Sequence, residues 1–462
     1  MVHKHNSAWL AQVTDRHAHA GVETDAQREV VIVGGGISGV MTAYYLLKYT
    51  QVHVTLLEGD RVAHGATGHN AGQLAAEFEK TFLELVQQFG LEMAVRAEQD
   101  IERAWTLLET LYEEESLQTP LSTFPGYAGY ESPDDTERIL RNQHARAEAG
   151  LSPRRVYLLH TLADEARYAP YRRYFESITA EEIGNLLETN ATHYRAVLAR
   201  KRGCLNSALL CEELLQVLHK HYATRFVLHE HSHVSSVRIF AHHARLFVMN
   251  TAAKRHHVLD AARVVLCTNG FENISLLTER GSALETRFHD MVRGLVGSMV
   301  GYLEPVGKNP TALSFHDQSG TLTTKESGFD ERAYFYFTRR PFEIDGSKHA
   351  LVCVGGPEKV MSDARSYRPN EPFNPEHRRV LDTFMRTTYR NHADLHFRFA
   401  WHGLMGYTPS GMRIIGPDKK HQVLWYNLGC NGIGLMTAIF GGYKIAQCMK
   451  GETFLSSAFD PQ

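Results

Sequence analysis

Val30-Val31-Ile32-Val33-Gly34-Gly35-Gly36-Ile37-Ser38-Gly39 is the stretch from which the fold can be read. Four β-branched residues spell a buried strand, the glycines a tight turn, and the run from Val40 to Tyr49 a helix. A second β-rich run, Val52 to Leu57, ends at Glu58, so roughly thirty residues make one strand–helix–strand unit of a parallel sheet. Gly34 permits the turn, Gly36 lets a phosphate approach the backbone with no Cβ in the way, and Gly39 lets helix and strand pack closely. Ile37 and Ser38 stand in the first turn, where unpaired N–H groups and the helix dipole favour an anion. Glu58 comes nineteen residues after Gly39, where a carboxylate can accept hydrogen bonds from ribose hydroxyls and repel a 2′-phosphate. Strand before, helix after and acid at that distance turn a weak glycine pattern into a dinucleotide site.

Gly59 leads into Arg61-Val62-Ala63-His64-Gly65-Ala66-Thr67-Gly68-His69-Asn70-Ala71-Gly72-Gln73, whose glycines beside Asn70 and Gln73 favour close backbone contact with a ligand. Ala262 to Gly270 reads as a buried strand ending in Thr268-Asn269-Gly270. Trp401-His402-Gly403-Leu404-Met405-Gly406-Tyr407-Thr408-Pro409-Ser410 and Gly429-Cys430-Asn431-Gly432-Ile433-Gly434-Leu435 follow near the C-terminus. In this order the four motifs resemble the D-amino acid oxidase-like superfamily, which includes sarcosine, glycine and γ-glutamylputrescine oxidases, over nearly the whole chain. The resemblance implies FAD, with the 61–73 loop beneath the flavin, Thr268 to Gly270 and Gly403 beside it, and Val234 against the adenine. It also implies that amides from Asn431 to Leu435 face the flavin pyrimidine, where their dipoles stabilise negative charge on the reduced ring.

Departures from the family pattern sharpen the expectation. His69 stands where arginine is common, Ser410 where aspartate is, and Ile433 where histidine is. Met405 replaces both the cysteine that tethers flavin in sarcosine oxidases and the arginine that grips a carboxylate in glycine oxidases, which implies non-covalent FAD. The lysine that promotes oxygen reduction in sarcosine oxidases has no counterpart near Cys353, with Lys348 the nearest, so oxygen or another electron acceptor is left open.

The expected fold is α/β, an FAD-binding Rossmann-like domain with an inserted substrate domain built on a mostly antiparallel sheet plus helices. The first takes residues 1–80, 200–275 and 395–462; the second, with a helical insertion, takes 81–199 and 276–394. Helical spacing recurs from Leu74 to Leu117 with a break at Gly90, from Asp134 to Ala149 and from Ala180 to Leu187. Alternating segments at Gly297 to Leu303, Ala333 to Thr338 and Ala350 to Gly355 suit the antiparallel sheet.

Over 462 residues the formal charge is −3, giving no basic field for nucleic acid or an anionic membrane. No run of 18 apolar residues suggests a membrane span. Six scattered cysteines read as reduced, and the polar stretch from Met1 to Arg28 reads as a surface arm lacking a signal-peptide core, so a soluble cytoplasmic chain is expected. His229, His231 and His233 alternate as if on one strand face, but with no carboxylate or cysteine in support they read as a solvated face, and no metal is expected.

Hydride transfer from the carbon next to the nitrogen of an amine or amino acid to the flavin, followed by imine hydrolysis, is the activity the resemblance implies. The alternatives are oxidation of a hydroxy acid or polyol phosphate, and a non-catalytic flavin-fold binding protein. Tyr334, Tyr336 and Arg339 lie on a substrate-domain strand. Arg339, a planar cation, is the candidate anchor for a carboxylate, and His69 and His402 are further candidate catalytic residues.

Overall fold

The computed structural model describes residues 6–14, 18–269, 274–284, 292–316, 334–361, 366–392 and 395–461. Gly270 and Ala333, assigned above to a cofactor turn and a strand, lie outside these residues. β1 (Ala26–Val33), α1 (Ile37–Tyr49) and β2 (Val54–Leu57) form the expected unit, with β1 and β2 parallel. Val30 to Val33 and all of β2 are buried, which is why they read as continuous apolar runs.

β3 (Gln73–Leu74) is followed by α2 (Phe82–Phe89) and α3 (Leu91–Glu115). Helix therefore starts at Phe82 rather than Leu74, where Thr81 and Glu84 form a reciprocal capping box. Gly90, with φ of 82°, makes the expected break. Next come β4 (Ser122–Tyr130), α4 (Pro133–Glu148), β5 (Val156–Leu159), β6 (Phe175–Ile178), α5 (Ala180–Leu186), β7 (Ala196–Cys204) and α6 (Ser207–Tyr222). β8 (Phe226–His229), β9 (Ser232–Ile239), β10 (Ala244–Asn250), β11 (Arg255–Leu266), β12 (Ser275–Leu277) and β13 (Arg293–Glu304) continue the chain. β14 (Thr311–His316), β15 (Tyr334–Ile344), β16 (Ser347–Val360), α7 (Pro375–Thr388), β17 (Phe399–Tyr407), β18 (Ile414–Pro417), β19 (Leu424–Leu428) and α8 (Gly434–Lys450) complete it.

These strands form two sheets. The first runs β12-β9-β10-β11-β1-β2-β8, with β19 joining β11 and β18 joining β19. Its centre is parallel, and α1 packs against α8 and α6. The second runs β17-β13-β16-β15-β14-β4-β7-β5-β6, antiparallel from β17 to β14. One of its faces buries α7, where Phe335 stacks on Phe384 at 4.1 Å. β7, which spans residue 200, and β17, which follows residue 395, both pair in the second sheet.

Two expectations are corrected. His229, His231 and His233 do not share a strand face, because β8 ends at His229 and β9 begins at Ser232, in different places in the sheet. His231, with φ of 51°, lies in the turn between them. The N-terminal segment is no surface arm, since Ala8, Trp9 and Val22 are buried. Trp9 packs edge-on against Trp401 with ring centroids 5.9 Å apart, carries the Arg340 guanidinium 4.5 Å above its ring, and donates from Nε1 to the Asn70 carbonyl at 2.6 Å. A polar composition concealed one anchoring aromatic.

Trp9→Ala is expected to destabilise the protein by about 3–5 kcal/mol in urea unfolding, the cost of emptying a large buried aromatic site. A loss below about 1 kcal/mol would show that the segment is not part of the core.

Candidate functional site

Helix α1 starts after Gly36 with no side-chain cap and no acidic residue in its first turn, so its dipole is left to another partner. The Thr67 hydroxyl accepts from Ile37 N–H at 2.9 Å and ties the following loop to that end of the helix. At the end of β2 the Glu58 carboxylate accepts from Gly35 N–H at 2.7 Å and Asp60 N–H at 2.9 Å. Burial raises its pKa, against the pull of these backbone donors. Arg413, just before β18, reaches the Ser38 hydroxyl and donates from Nε to Asn427 Oδ1 at 2.6 Å. Burial lowers its pKa to about 10, so it remains a cation at neutral pH.

From this helix end a cavity of about 1400 Å³ extends to the second sheet. That exceeds the roughly 300–1,000 Å³ of common ligand pockets. Gly34, Gly36, Ile37, Ser38, Glu58 and Gly59 line one end, with His233 and Val234. The loop contributes Gly65, Ala66, Thr67, His69, Asn70, Gly72 and Gln73. Farther along stand Thr268 and Asn269, then Gly403 and Met405, and then the segment from Asn431 to Leu435. Thr268 Oγ1 is buried with no hydrogen-bond partner among the described residues.

The far end is charged. Glu79, Glu358 and Tyr407 meet there, with the Tyr407 hydroxyl 2.9 Å from Glu79 Oε1 and 3.1 Å from Glu358 Oε2. Tyr334 and Tyr336 form the adjoining wall, their hydroxyl pKa values raised by burial and by those two carboxylates. Beyond them Glu77 binds Arg154 at 3.0 Å, Arg200 at 2.7 Å, and Arg202. Burial opposes ionisation of Glu77, but the three guanidinium groups hold its carboxyl well below the usual range.

A family model described as FAD dependent oxidoreductase matches residues 29–448. This chain belongs to that FAD-dependent oxidoreductase family. Curated relatives match it only locally. A putative Rieske 2Fe-2S iron-sulfur protein of Bacillus subtilis is 35% identical over 81 residues, covering 18% of this chain and 16% of that protein. The gamma-glutamylputrescine oxidoreductase of Escherichia coli is 27% identical over 92 residues, covering 20% of this chain and 21% of that one. Structural likeness runs the full length. The L-proline dehydrogenase of P. horikoshii has a TM-score of 0.66 at 16% identity, covering 95% of this chain and 97% of that one. The glycine oxidase of Geobacillus kaustophilus has a TM-score of 0.66 at 15% identity, covering 94% and 98%. The fold is that of these two enzymes.

FAD is the cofactor of this oxidoreductase family, and the residues present fit it. The α1 terminus, with no cap from Gly36 and Arg413 beside it, suits a doubly charged pyrophosphate, and Gly36 leaves the approach clear, since a Cβ there would meet only Thr67 Oγ1. Not every glycine named from sequence reaches the cavity. Gly39 lies behind the turn, where a Cβ would strike the Gly34 carbonyl, and Gly68 packs on Leu10. Arg61 is exposed.

Two candidate catalytic residues are corrected. Arg339 is three residues from Tyr336 and points to the opposite face of β15, where it grips Glu188 through two bonds of 2.7 and 2.6 Å and meets Tyr389. His402 alternates with Gly403 on β17 and turns to Tyr367, 2.9 Å from its Nδ1. His69 and Tyr336 do line the cavity; burial lowers the His69 pKa, so its ring is neutral at pH 7. Cys353 is fully buried and lies outside the lining, and Lys348 is exposed at the β15–β16 turn. Glu77, Glu79, Glu358, Arg200 and Arg413 escaped sequence reading, because isolated charges carry no periodic signal.

Glu58→Arg is expected to lower FAD occupancy of the purified protein severalfold or more, measured by absorbance after gel filtration. Unchanged occupancy would remove Glu58 from the site. Acid precipitation of the wild type is expected to release intact FAD, and flavin retained in the pellet would show a covalent link.

Proposed function

We propose that the enzyme oxidises the C–N bond of an amine or amino-acid-derived substrate. The observation that carries this reading is the convergence of Glu79 and Glu358 on Tyr407, beside Gly432 and on the same strand face as Gly403. Both carboxylates line the cavity, and two acceptor-only groups brought together there suit an ammonium group. Non-covalent FAD, when bound, supplies the acceptor for the hydride leaving the carbon next to nitrogen.

The chain's own residues then have three tasks. Glu79 and Glu358 bind the substrate cation and can take the proton whose loss frees the nitrogen lone pair. Tyr334 and Tyr336 exclude water and hold the substrate chain against the sheet. Tyr336 lies over Gly355, where a Cβ would enter its ring, so glycine on β16 makes room for that wall. The amides from Asn431 to Leu435 lie at the start of α8, where they can stabilise negative charge. Hydrolysis of the resulting imine needs only water. The relatives named above for γ-glutamylputrescine, proline and glycine chemistry support a C–N substrate.

The test is anaerobic mixing of the FAD-loaded enzyme with panels of secondary amines, amino acids, hydroxy acids and polyol phosphates, following loss of the oxidised-flavin absorbance. Bleaching by amines or amino acids is expected. In the Glu79→Gln variant the apparent KM should rise about tenfold, the scale of one charge-assisted hydrogen bond. Bleaching only by hydroxy acids or polyol phosphates would overturn the reading.

A further inference from the structure

Among the described residues four buried or largely buried arginines, Arg146, Arg154, Arg200 and Arg202, line the cavity around two buried carboxylates, Glu77 and Glu98. Arg146 pairs with Glu98 at 2.7 Å, donates from Nε to the Ser152 carbonyl at 3.4 Å, and lies 3.9 Å from Glu102, which is largely exposed. Arg154 lies 3.8 Å from Glu98. Among the described residues this leaves a surplus of positive charge in a place where unpaired charge is costly. Arg200 has a further unmet donor. Its terminal nitrogens bond Glu77 at 2.7 Å and the Tyr130 hydroxyl at 3.0 Å, while its Nε is buried with no hydrogen-bond partner among the described residues. His316 beside it does not add charge: burial, aided by Arg200, pushes its pKa down to about 4.

The sheet fixes where this cluster lies. Tyr336 pairs with Ser314, Ser314 with Ala128 and Ala128 with Leu198, so the row crosses from β15 through β14 and β4 to β7. Side chains two apart on a strand share a face, so Tyr334, His316, Tyr130 and Arg200 stand on the same face as that row. Three strand spacings of about 4.8 Å separate Tyr336 from β7, and the arginine side chains reach back part of that way. The gap between the tyrosine wall and the guanidinium groups is therefore on the order of 10 Å.

We infer that the substrate is an amine carrying a remote anionic group, a carboxylate or phosphate, which the Arg200–Arg154 cluster binds at the end of the sheet face away from Glu79 and Glu358. This deepens the amine reading and rests on it for the reacting end only. Three guanidinium groups sharing the one Glu77 carboxylate suit a second, planar or tetrahedral oxyanion supplied by the ligand. Small amines without that group would leave the cluster unmatched and would be poor substrates.

The experiment uses the FAD-loaded enzyme and two probes in separate arms, glutarate and inorganic phosphate, with binding read by calorimetry. Saturable binding of at least one probe is expected, weakened roughly tenfold or more in Arg200→Gln at unchanged flavin occupancy. Arg154→Gln, on the loop before β5 rather than within a strand, is the second variant should Arg200→Gln fail to fold. Tighter glutarate binding assigns the remote group as a carboxylate, and tighter phosphate binding assigns it as a phosphate. Failure of both probes to bind the wild type, or equal binding in the folded variants, would overturn the inference. Probe binding that persists when no amine bleaches the flavin would instead count against the amine reading alone.

Discussion

At Gly34 the backbone leaves β1 with φ of 107°, and a side chain there would strike the carbonyl of Cys267 at the end of β11. This turn delivers the chain to α1 while keeping β1 and β11 in register, and it aims the N-terminal end of α1 into the cavity. Glu58, on the neighbouring β2, is held by Gly35 N–H of the same turn. Thr67 binds the first N–H of α1, so the glycine loop after the acid is tied to the same point. A dinucleotide site follows from that one conformation because helix dipole, carboxylate and loop all converge on it.

The second sheet supplies the other half of the cavity through one face. Tyrosines occupy its middle, carboxylates from Glu79 and Glu358 the side toward Gly432, and arginines from β7 the opposite end. Its reverse face is mainly apolar and is closed by α7. Strand alternation makes this division possible, and it explains why Arg339, one register step out of phase with Tyr336, belongs to the α7 side and serves as a structural ion pair.

Elements with strong patterns were legible from sequence: β1, α1, β2, the break at Gly90 and the antiparallel strands β13, β15 and β16. β4 and β7 were not. β4 contains Pro125 and two glycines, and β7 places Arg200 and Arg202 on the cavity side, so neither shows the usual apolar alternation. Charged residues point inward there because the inward face borders a polar cavity. The glycine motifs revealed the nucleotide end, since backbone approach demands those residues. The substrate end depends on which strands become neighbours, and isolated charges such as Glu77 and Glu358 do not disclose that. His402 and Arg339 were misplaced for the same reason: their side chains take the face that sequence proximity to a motif cannot specify.

The most direct test of this account is a crystal structure of the enzyme with FAD bound. The account predicts pyrophosphate oxygens at the N–H groups opening α1, ribose hydroxyls on Glu58, and the flavin ring beside Gly403 and Met405, leaving the face from Tyr336 to Arg200 open to substrate. A flavin ring or phosphate seated on the Arg200–Arg154 cluster would contradict it.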